Sequence, residues 1–138
     1  MKSPFVDRVG LELKRAERYS VFVSLVVLDL SFLQKQFGPD ATGLVEQVCE
    51  AIREKMRDID SVSSLGTFKI GLLLPETQRQ GAETVSHRVG EHIHDILSSK
   101  DSYASDKVIP IEMASYPDTA GNRTIKQFLE DTAEASKN

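Results

Sequence analysis

The sequence has 138 residues, 40% of them hydrophobic and 28% charged, and its length is near the commonest size of a compact domain. Its net charge of −4 excludes a broad basic surface, so nucleic acid is not an expected partner. The longest apolar stretch, residues 21–28, is far shorter than the roughly 20 residues that cross a bilayer, and no signal peptide or lipidation motif follows Met1. We therefore expect one cytoplasmic domain, residues 1–138, that does not itself span a membrane.

The start of the chain predicts a helix followed by a buried strand. Ser3 and Pro4 are helix-start signals, and apolar residues then recur at helical spacing up to Tyr19. Residues 1–19 are therefore predicted to form an N-terminal helix that leads into the domain. The run between Tyr19 and Asp29 is β-branched and almost wholly apolar, as expected of a central strand covered on both faces.

The middle of the chain predicts a loop, a helix and a hairpin. A polar stretch around Gly38 separates the first strand from a second helix, which carries one apolar stripe and ends near Arg57. Two apolar runs joined by Gly66 and Thr67 are typical of a β-hairpin, and Pro75 closes its second strand.

The end of the chain predicts a helix, a strand and a final helix. Residues 82–97 carry apolar side chains at spacings of three and four. The strand predicted at residues 108–114 contains Pro110, which favours a position at least partly at a sheet edge. Thr124 and Gln127 match a capping box at the start of the last helix.

Helices that alternate with strands, with a hairpin in the middle, indicate an α/β (α+β) fold. We expect a mixed, mostly antiparallel central sheet of about five strands, flanked by helices and built on a split βαβ core.

The cysteine and the histidines are not expected to form a disulfide or to bind a metal. Cys49 has no disulfide partner and falls on the apolar side of the second helix, so we expect it to pack in the core within a reducing compartment. On the third helix, His92 and His94 point apart, and the five-residue step from His87 to His92 also places no pair on one face. No metal and no cofactor are expected.

Six segments carry a resemblance to a known family. They read LELKRAERY (11–19), VSLVVLD (23–29), RDID (57–60), LLLPET (72–77), GA (81–82) and ASYP (114–117). In order and spacing they resemble the GGDEF (diguanylate cyclase) family, over nearly the whole chain. The resemblance implies a nucleotide cyclase-like fold in a bacterial signalling protein.

The family's signature, Gly-Gly-Asp/Glu-Glu-Phe, belongs at the hairpin turn. Here only its first glycine is matched, because the window reads Gly66, Thr67, Phe68, Lys69 and Ile70. Joining two GTP molecules into cyclic di-GMP needs divalent ions held by oxygen ligands. The resemblance gives that role to the strand-end Asp29 and to the acid that Phe68 replaces, while Lys69 adds a repelling cation.

Other departures point the same way. Ser31 stands where a second strand-end aspartate is usual, and Lys137 matches the family's C-terminal lysine only loosely. We therefore expect a degenerate domain that is not an enzyme, in which Asp29 is a vestige of the metal site.

A second family site is better matched. The resemblance places an inhibitory-type cyclic di-GMP site at Arg57 and Asp60, five residues before the signature, with Arg88 on the next helix completing it. An arginine can hold a phosphate or a guanine acceptor edge, and a carboxylate can accept from guanine nitrogens. The alternative is a local ion pair of Arg57 with Asp60 and a solvated Arg88.

These features suggest three functions. The first is a catalytically inactive regulatory module that binds cyclic di-GMP and passes its occupancy to other signalling proteins. The alternative is a ligand-independent dimerisation or protein-interaction module of a larger signalling protein. In a third hypothesis, the domain still binds GTP but does not convert it to product.

Overall fold

The computed structural model describes residues 4–66, 68–100, 108–117 and 124–136, with side chains up to residue 131. In chain order the elements are α1 (Pro4–Tyr19), β1 (Val23–Asp29), α2 (Leu33–Phe37), a 3₁₀ turn (Gly38–Asp40), α3 (Ala41–Lys55), β2 (Ser61–Ser64), β3 (Lys69–Pro75), α4 (Arg79–Leu97), β4 (Ile111–Tyr116) and α5 (Ile125–Ser136). Among these described helices, none has the length and apolar character needed to cross a bilayer.

Strand β1 lies inside the sheet, whose order is β2-β3-β1-β4 and whose pairings are all antiparallel. Val26, for example, pairs with Leu72 on one side and with Met113 on the other. Because β3 and β4 both run antiparallel to β1, they are parallel to each other, and α4 connects them across β1 as a split βαβ unit. The predicted fold class is confirmed, with four strands in the described residues in place of about five.

Side chains along β1 alternate between two cores. Val26 and Leu28 pack in the core shared with α3 and α4, whereas Leu25 and Val27 pack in the core shared with α1 and α5. Successive side chains of a strand point to opposite faces, so a strand covered on both faces must be continuously apolar. The buried central strand predicted from the sequence is confirmed.

Helix α1 approaches β3 closely at Gly71. A Cβ atom at this position would lie 2.8 Å from Cε2 and 2.9 Å from Cζ of Phe5, and 3.1 Å from Cδ1 of Leu65. The Phe5 ring is itself buried, so it has little room to move. Glycine is needed in this strand because a helix side chain occupies the space of a Cβ.

The predicted capping box starts α5. The backbone N–H of Gln127 donates to Oγ1 of Thr124 at 3.1 Å, and the N–H of Thr124 donates to Oε1 of Gln127 at 2.8 Å. These reciprocal bonds satisfy two amides at the helix start, and the first turn then buries Ile125 and Phe128 against β1.

Two local predictions were incomplete. The stretch predicted to be a loop around Gly38 contains α2 and the 3₁₀ turn, and α2 forms where Leu33 is fully buried in the core. Strand β4 begins at Ile111, after Pro110, whose carbonyl accepts a hydrogen bond from the N–H of Asp29 at 3.0 Å. Within the described sheet β4 lies at the edge, as Pro110 indicated.

Cys49 packs in the core beside α4, as predicted. Burial raises the pKa of its thiol, and Nη2 of Arg53 lies 3.7 Å from the sulfur. A buried, protonated thiol is a packing group and a poor nucleophile.

Candidate functional site

The hairpin turn that should carry the signature is built by backbone geometry and packing. Gly66 and Phe68 both adopt positive φ angles, of 74° and 63°, and the N–H of Lys69 donates to the carbonyl of Gly66 at 3.0 Å. Thr67 lies outside the described residues. A phenylalanine with positive φ is unusual and needs compensation from its surroundings.

That compensation comes from the core. Phe68 is half-buried and packs against the core beside α3 and α4, and its carbonyl accepts a hydrogen bond from the N–H of Leu30 at 2.8 Å. Ile70, the last residue of the signature window, is fully buried in β3. At this turn Phe68 and Ile70 act as packing groups, while Lys69 is exposed.

Asp29 ends β1 directly opposite Lys69 in the strand register. Its Oδ1 accepts a hydrogen bond from the N–H of Ser31 at 2.9 Å, which is a local turn interaction. In the part of the chain that the structure describes, no group of three or more His, Cys, Asp or Glu residues could hold a metal ion. A single carboxylate facing a lysine does not fit the oxygen-rich set that a divalent ion needs.

The second candidate site begins with Arg57 and Asp60, which follow α3. Nε of Arg57 lies 3.2 Å and 3.0 Å from the two carboxylate oxygens of Asp60, and Nη2 lies 2.8 Å from Oδ1. The backbone N–H of Arg57 also donates to Oδ2 of Asp60 at 2.9 Å. The Asp60 side chain is 3% exposed while that of Arg57 is 53% exposed, so a buried carboxylate holds a half-exposed guanidinium.

The last residue of β3 and a residue just after it complete the contacts that hold Arg57. Nη2 of Arg57 donates to the carbonyl oxygen of Pro75 at 3.1 Å and to Oγ1 of Thr77 at 2.8 Å. The hydrogen bond with Asp60 raises the pKa of Arg57 above its already high ordinary value, so the group is a permanent cation. Nε and Nη2 are engaged, and among the described residues Nη1 has no hydrogen-bond acceptor.

Arg57, Asp60 and Arg88 line one groove of about 920 Å³ between the C-terminal end of α3 and the outer face of α4. We call it the α3–α4 groove. Arg88 is exposed on α4, and within the described ranges no hydrogen bond or ion pair engages its side chain. The structure thus brings together all three residues that the sequence singled out for this site.

Pro75 and Thr77 were missed as parts of this site. The sequence matched them only as an anchor of the resemblance, because their contacts with Arg57 span 18 and 20 residues. The hairpin register could have found them: Ser61 pairs with Leu73, so the segment just before β2 must lie beside the end of β3.

Solved structures to which this chain is similar include GGDEF domains and diguanylate cyclases. SiaD of Pseudomonas aeruginosa, a diguanylate cyclase solved with its activator SiaC, is 20% identical with a TM-score of 0.67, over 95% of this chain and 54% of that chain. The GGDEF domain of DgcB from Caulobacter crescentus, in complex with c-di-GMP, is 15% identical with a TM-score of 0.66, over 96% and 82% of the two chains. The active GGEEF domain of a diguanylate cyclase from Vibrio cholerae is 15% identical with a TM-score of 0.57, over 91% and 85%.

No protein-family model and no curated protein matches the sequence. At these identities the solved structures establish the fold, and the GGDEF fold that the resemblance implied is confirmed.

The expectation that the chain is not an enzyme is wrong. The structural neighbours are diguanylate cyclases, and the one from Vibrio cholerae is an active domain. That expectation gave the changed residues of one turn more weight than the fold that the chain shares with these structures.

Proposed function

We propose that this chain is a signalling domain that binds cyclic di-GMP in the α3–α4 groove through Arg57, Asp60 and Arg88. One observation carries the proposal: a held arginine and an unengaged arginine line the same groove. Cyclic di-GMP carries two phosphodiester charges and two guanine edges rich in acceptors. Both are groups that guanidinium donors bind with charge-assisted hydrogen bonds.

The two arginines contribute in different ways. Arg57 has its Nε and Nη2 atoms fixed by protein acceptors, so it offers its remaining donors with little loss of side-chain freedom on binding. Arg88 is exposed and would become ordered only against the ligand, which costs conformational entropy. We therefore assign the larger share of the affinity to Arg57.

Asp60 acts mainly through Arg57. Both of its carboxylate oxygens accept from Arg57, and its side chain is 3% exposed. Its lone pairs are thus already engaged, which leaves it poorly placed to accept from a guanine. Its part in the proposed site is to fix the guanidinium and keep it charged.

The comparisons support a ligand of this kind. DgcB, with the same fold, was solved in complex with c-di-GMP. SiaD was solved with a protein activator, which supports signalling through protein partners as well. The cytoplasmic location and the single-domain extent predicted from the sequence remain part of the proposal.

Thermal unfolding tests the proposal. A ligand that binds only the folded state stabilises it by about 2.7 kcal/mol at a hundred times its Kd, which corresponds to a rise in Tm of roughly 9 °C for a domain of this size. We expect such a rise with cyclic di-GMP and a much smaller one with cyclic di-AMP, whose phosphates are the same but whose base edges differ. An unchanged Tm at high micromolar cyclic di-GMP would refute the proposal.

A second candidate function is protein interaction through α1. Leu11 and Tyr19 are 64% and 62% exposed on this helix and lie roughly 80° apart around its axis, so they share one broad side of it. Such side chains suit a dimer or a signalling partner. A dimer by light scattering that persists without nucleotide and is lost in the variant Leu11→Glu would favour this function, and a monomer under all conditions would exclude a homodimer.

A further inference from the structure

Thr77 stands at the centre of the contacts that hold Arg57. Its Oγ1 lies 2.8 Å from Nη2 of Arg57 and 2.9 Å from the carbonyl oxygen of Pro75. The carbonyl of Pro75 can only accept, so the Thr77 hydroxyl donates its one proton there. Its lone pairs then face the arginine, which makes Thr77 an oriented acceptor for Nη2.

Thr77 is itself fixed from three sides. Its side chain is almost fully buried, and its backbone carbonyl accepts a hydrogen bond from Oγ of Ser24 at 2.8 Å. Its methyl group lies so close to α4 that a Cβ on Gly81 would be 3.1 Å from Cγ2 of Thr77. Contacts at its hydroxyl, its carbonyl and its methyl group leave the Thr77 side chain little freedom to turn, so the hydroxyl is a rigid partner for Arg57.

Asp60 fixes the guanidinium from one side only. It contacts Nε and Nη2, and Arg57 is otherwise half exposed on the segment between α3 and β2. Asp60 lies only three residues after Arg57, so this ion pair by itself ties the guanidinium to its own short segment. Thr77 and Pro75 approach Nη2 from β3, so the group is held between two segments of the chain.

We propose that Thr77 is a positioning residue for the cyclic di-GMP site, acting through its hydroxyl on Arg57. This inference rests on the proposed function, since it concerns how the same groove is prepared for its ligand. Preorganising Arg57 before the ligand arrives increases affinity without any contact between Thr77 and the ligand.

Two substitutions separate the hydroxyl from the packing. Thr77→Val keeps the shape and removes the acceptor, whereas Thr77→Ser keeps the hydroxyl and removes the methyl group. By calorimetry we expect Thr77→Val to weaken cyclic di-GMP binding about three- to tenfold, as for loss of one hydrogen bond near a charged group, and Thr77→Ser to stay within about twofold of the wild type. Equal affinity of Thr77→Val and wild type, or equal losses in both variants, would overturn the proposal.

A ligand-free measurement keeps this inference separate from the proposed function. In ¹⁵N-labelled protein, a guanidinium held at Nη2 rotates slowly about its Nε–Cζ bond and gives separate Nη signals, which are assigned by their loss in Arg57→Lys. We expect these signals to be separate in the wild type and in Thr77→Ser and to merge in Thr77→Val. Merged signals in the wild type, or separate signals in Thr77→Val, would refute positioning by Thr77. If wild-type protein binds no cyclic di-GMP, the proposed function fails and this experiment still decides the role of Thr77.

Discussion

The two ends of strand β3 differ in what their residues do. At its first end, the turn from Gly66 to Lys69 places a phenylalanine against the core and a lysine opposite Asp29. At its last end, Pro75 and the following Thr77 hold a guanidinium that is 53% exposed. One end is organised by packing, and the other presents a fixed charge at the surface.

This difference indicates where a ligand would bind. An exposed arginine is ordinary, since most surface arginines are solvated. An exposed arginine that is held by a buried carboxylate, a carbonyl and a buried hydroxyl is unusual. Ordering a long side chain costs conformational entropy, and the contacts with the protein must offset that cost. The α3–α4 groove is therefore the stronger candidate for a ligand-binding site. The turn at residues 66–69 contributes mainly to the stability of the fold.

The largest expected effect is that of Arg57→Ala on binding. Removing the charge-assisted hydrogen bonds of one guanidinium costs roughly 1.5–3 kcal/mol, so cyclic di-GMP affinity should fall by about 10- to 150-fold in a calorimetric titration. Arg79→Ala is the matched control, because Arg79 lies on α4 outside the α3–α4 groove. Since the substitution also leaves Asp60 unpaired, melting curves must show that the variant is folded. Equal losses of affinity in Arg57→Ala and Arg79→Ala would show that the α3–α4 groove is not the binding site.

Phe68→Ala should affect stability and leave binding unchanged. Truncating a half-buried aromatic ring leaves a cavity beside the core and should lower the free energy of unfolding by about 2 kcal/mol in urea. Cyclic di-GMP affinity should stay within about twofold of the wild type, because the turn and the groove lie at opposite ends of β3. A large loss of affinity in folded Phe68→Ala would show that the two regions are coupled.

Arg88→Ala should weaken binding less than Arg57→Ala does. Arg88 is not held in advance, so part of its interaction with a phosphate is offset by ordering, and we expect about a tenfold loss of affinity. The stability of the variant should match the wild type, since no described residue forms an ion pair with Arg88. A loss larger than that of Arg57→Ala would reverse the roles assigned to the two arginines.

Lys69→Glu should have the smallest effect. It places a carboxylate directly opposite Asp29, and like charges across a strand pair destabilise by about 0.5 kcal/mol. The cost should shrink in 1 M salt, where exposed charges are screened. Increased stability at low salt would mean that Asp29 and Lys69 do not face each other as the register indicates.

Local signals predicted most of the fold. Strand β1 was recognisable because burial on both faces demands a run that is almost wholly apolar, and α5 because Thr124 and Gln127 cap each other within one turn. Helix α2 was not recognisable, since the burial of Leu33 depends on contacts that no local pattern records. Tertiary packing decides such short elements.

The candidate site was predictable only in part. The spacing of Arg57 and Asp60 is visible in the sequence, and their ion pair closes within three residues. The acceptors from Pro75 and Thr77 are far along the chain and become visible only when β2 and β3 pair. The charged residues could therefore be identified from the sequence. The acceptors that hold Arg57 in place could be identified only from the structure.

The most direct test of the central claim is a calorimetric titration of cyclic di-GMP into the wild-type chain and into the double variant Arg57→Ala/Arg88→Ala. We expect saturable heat for the wild type at micromolar ligand and none for the double variant at the same concentrations, with both proteins folded by circular dichroism. No heat from the wild type, or the same isotherm for both proteins, would contradict it.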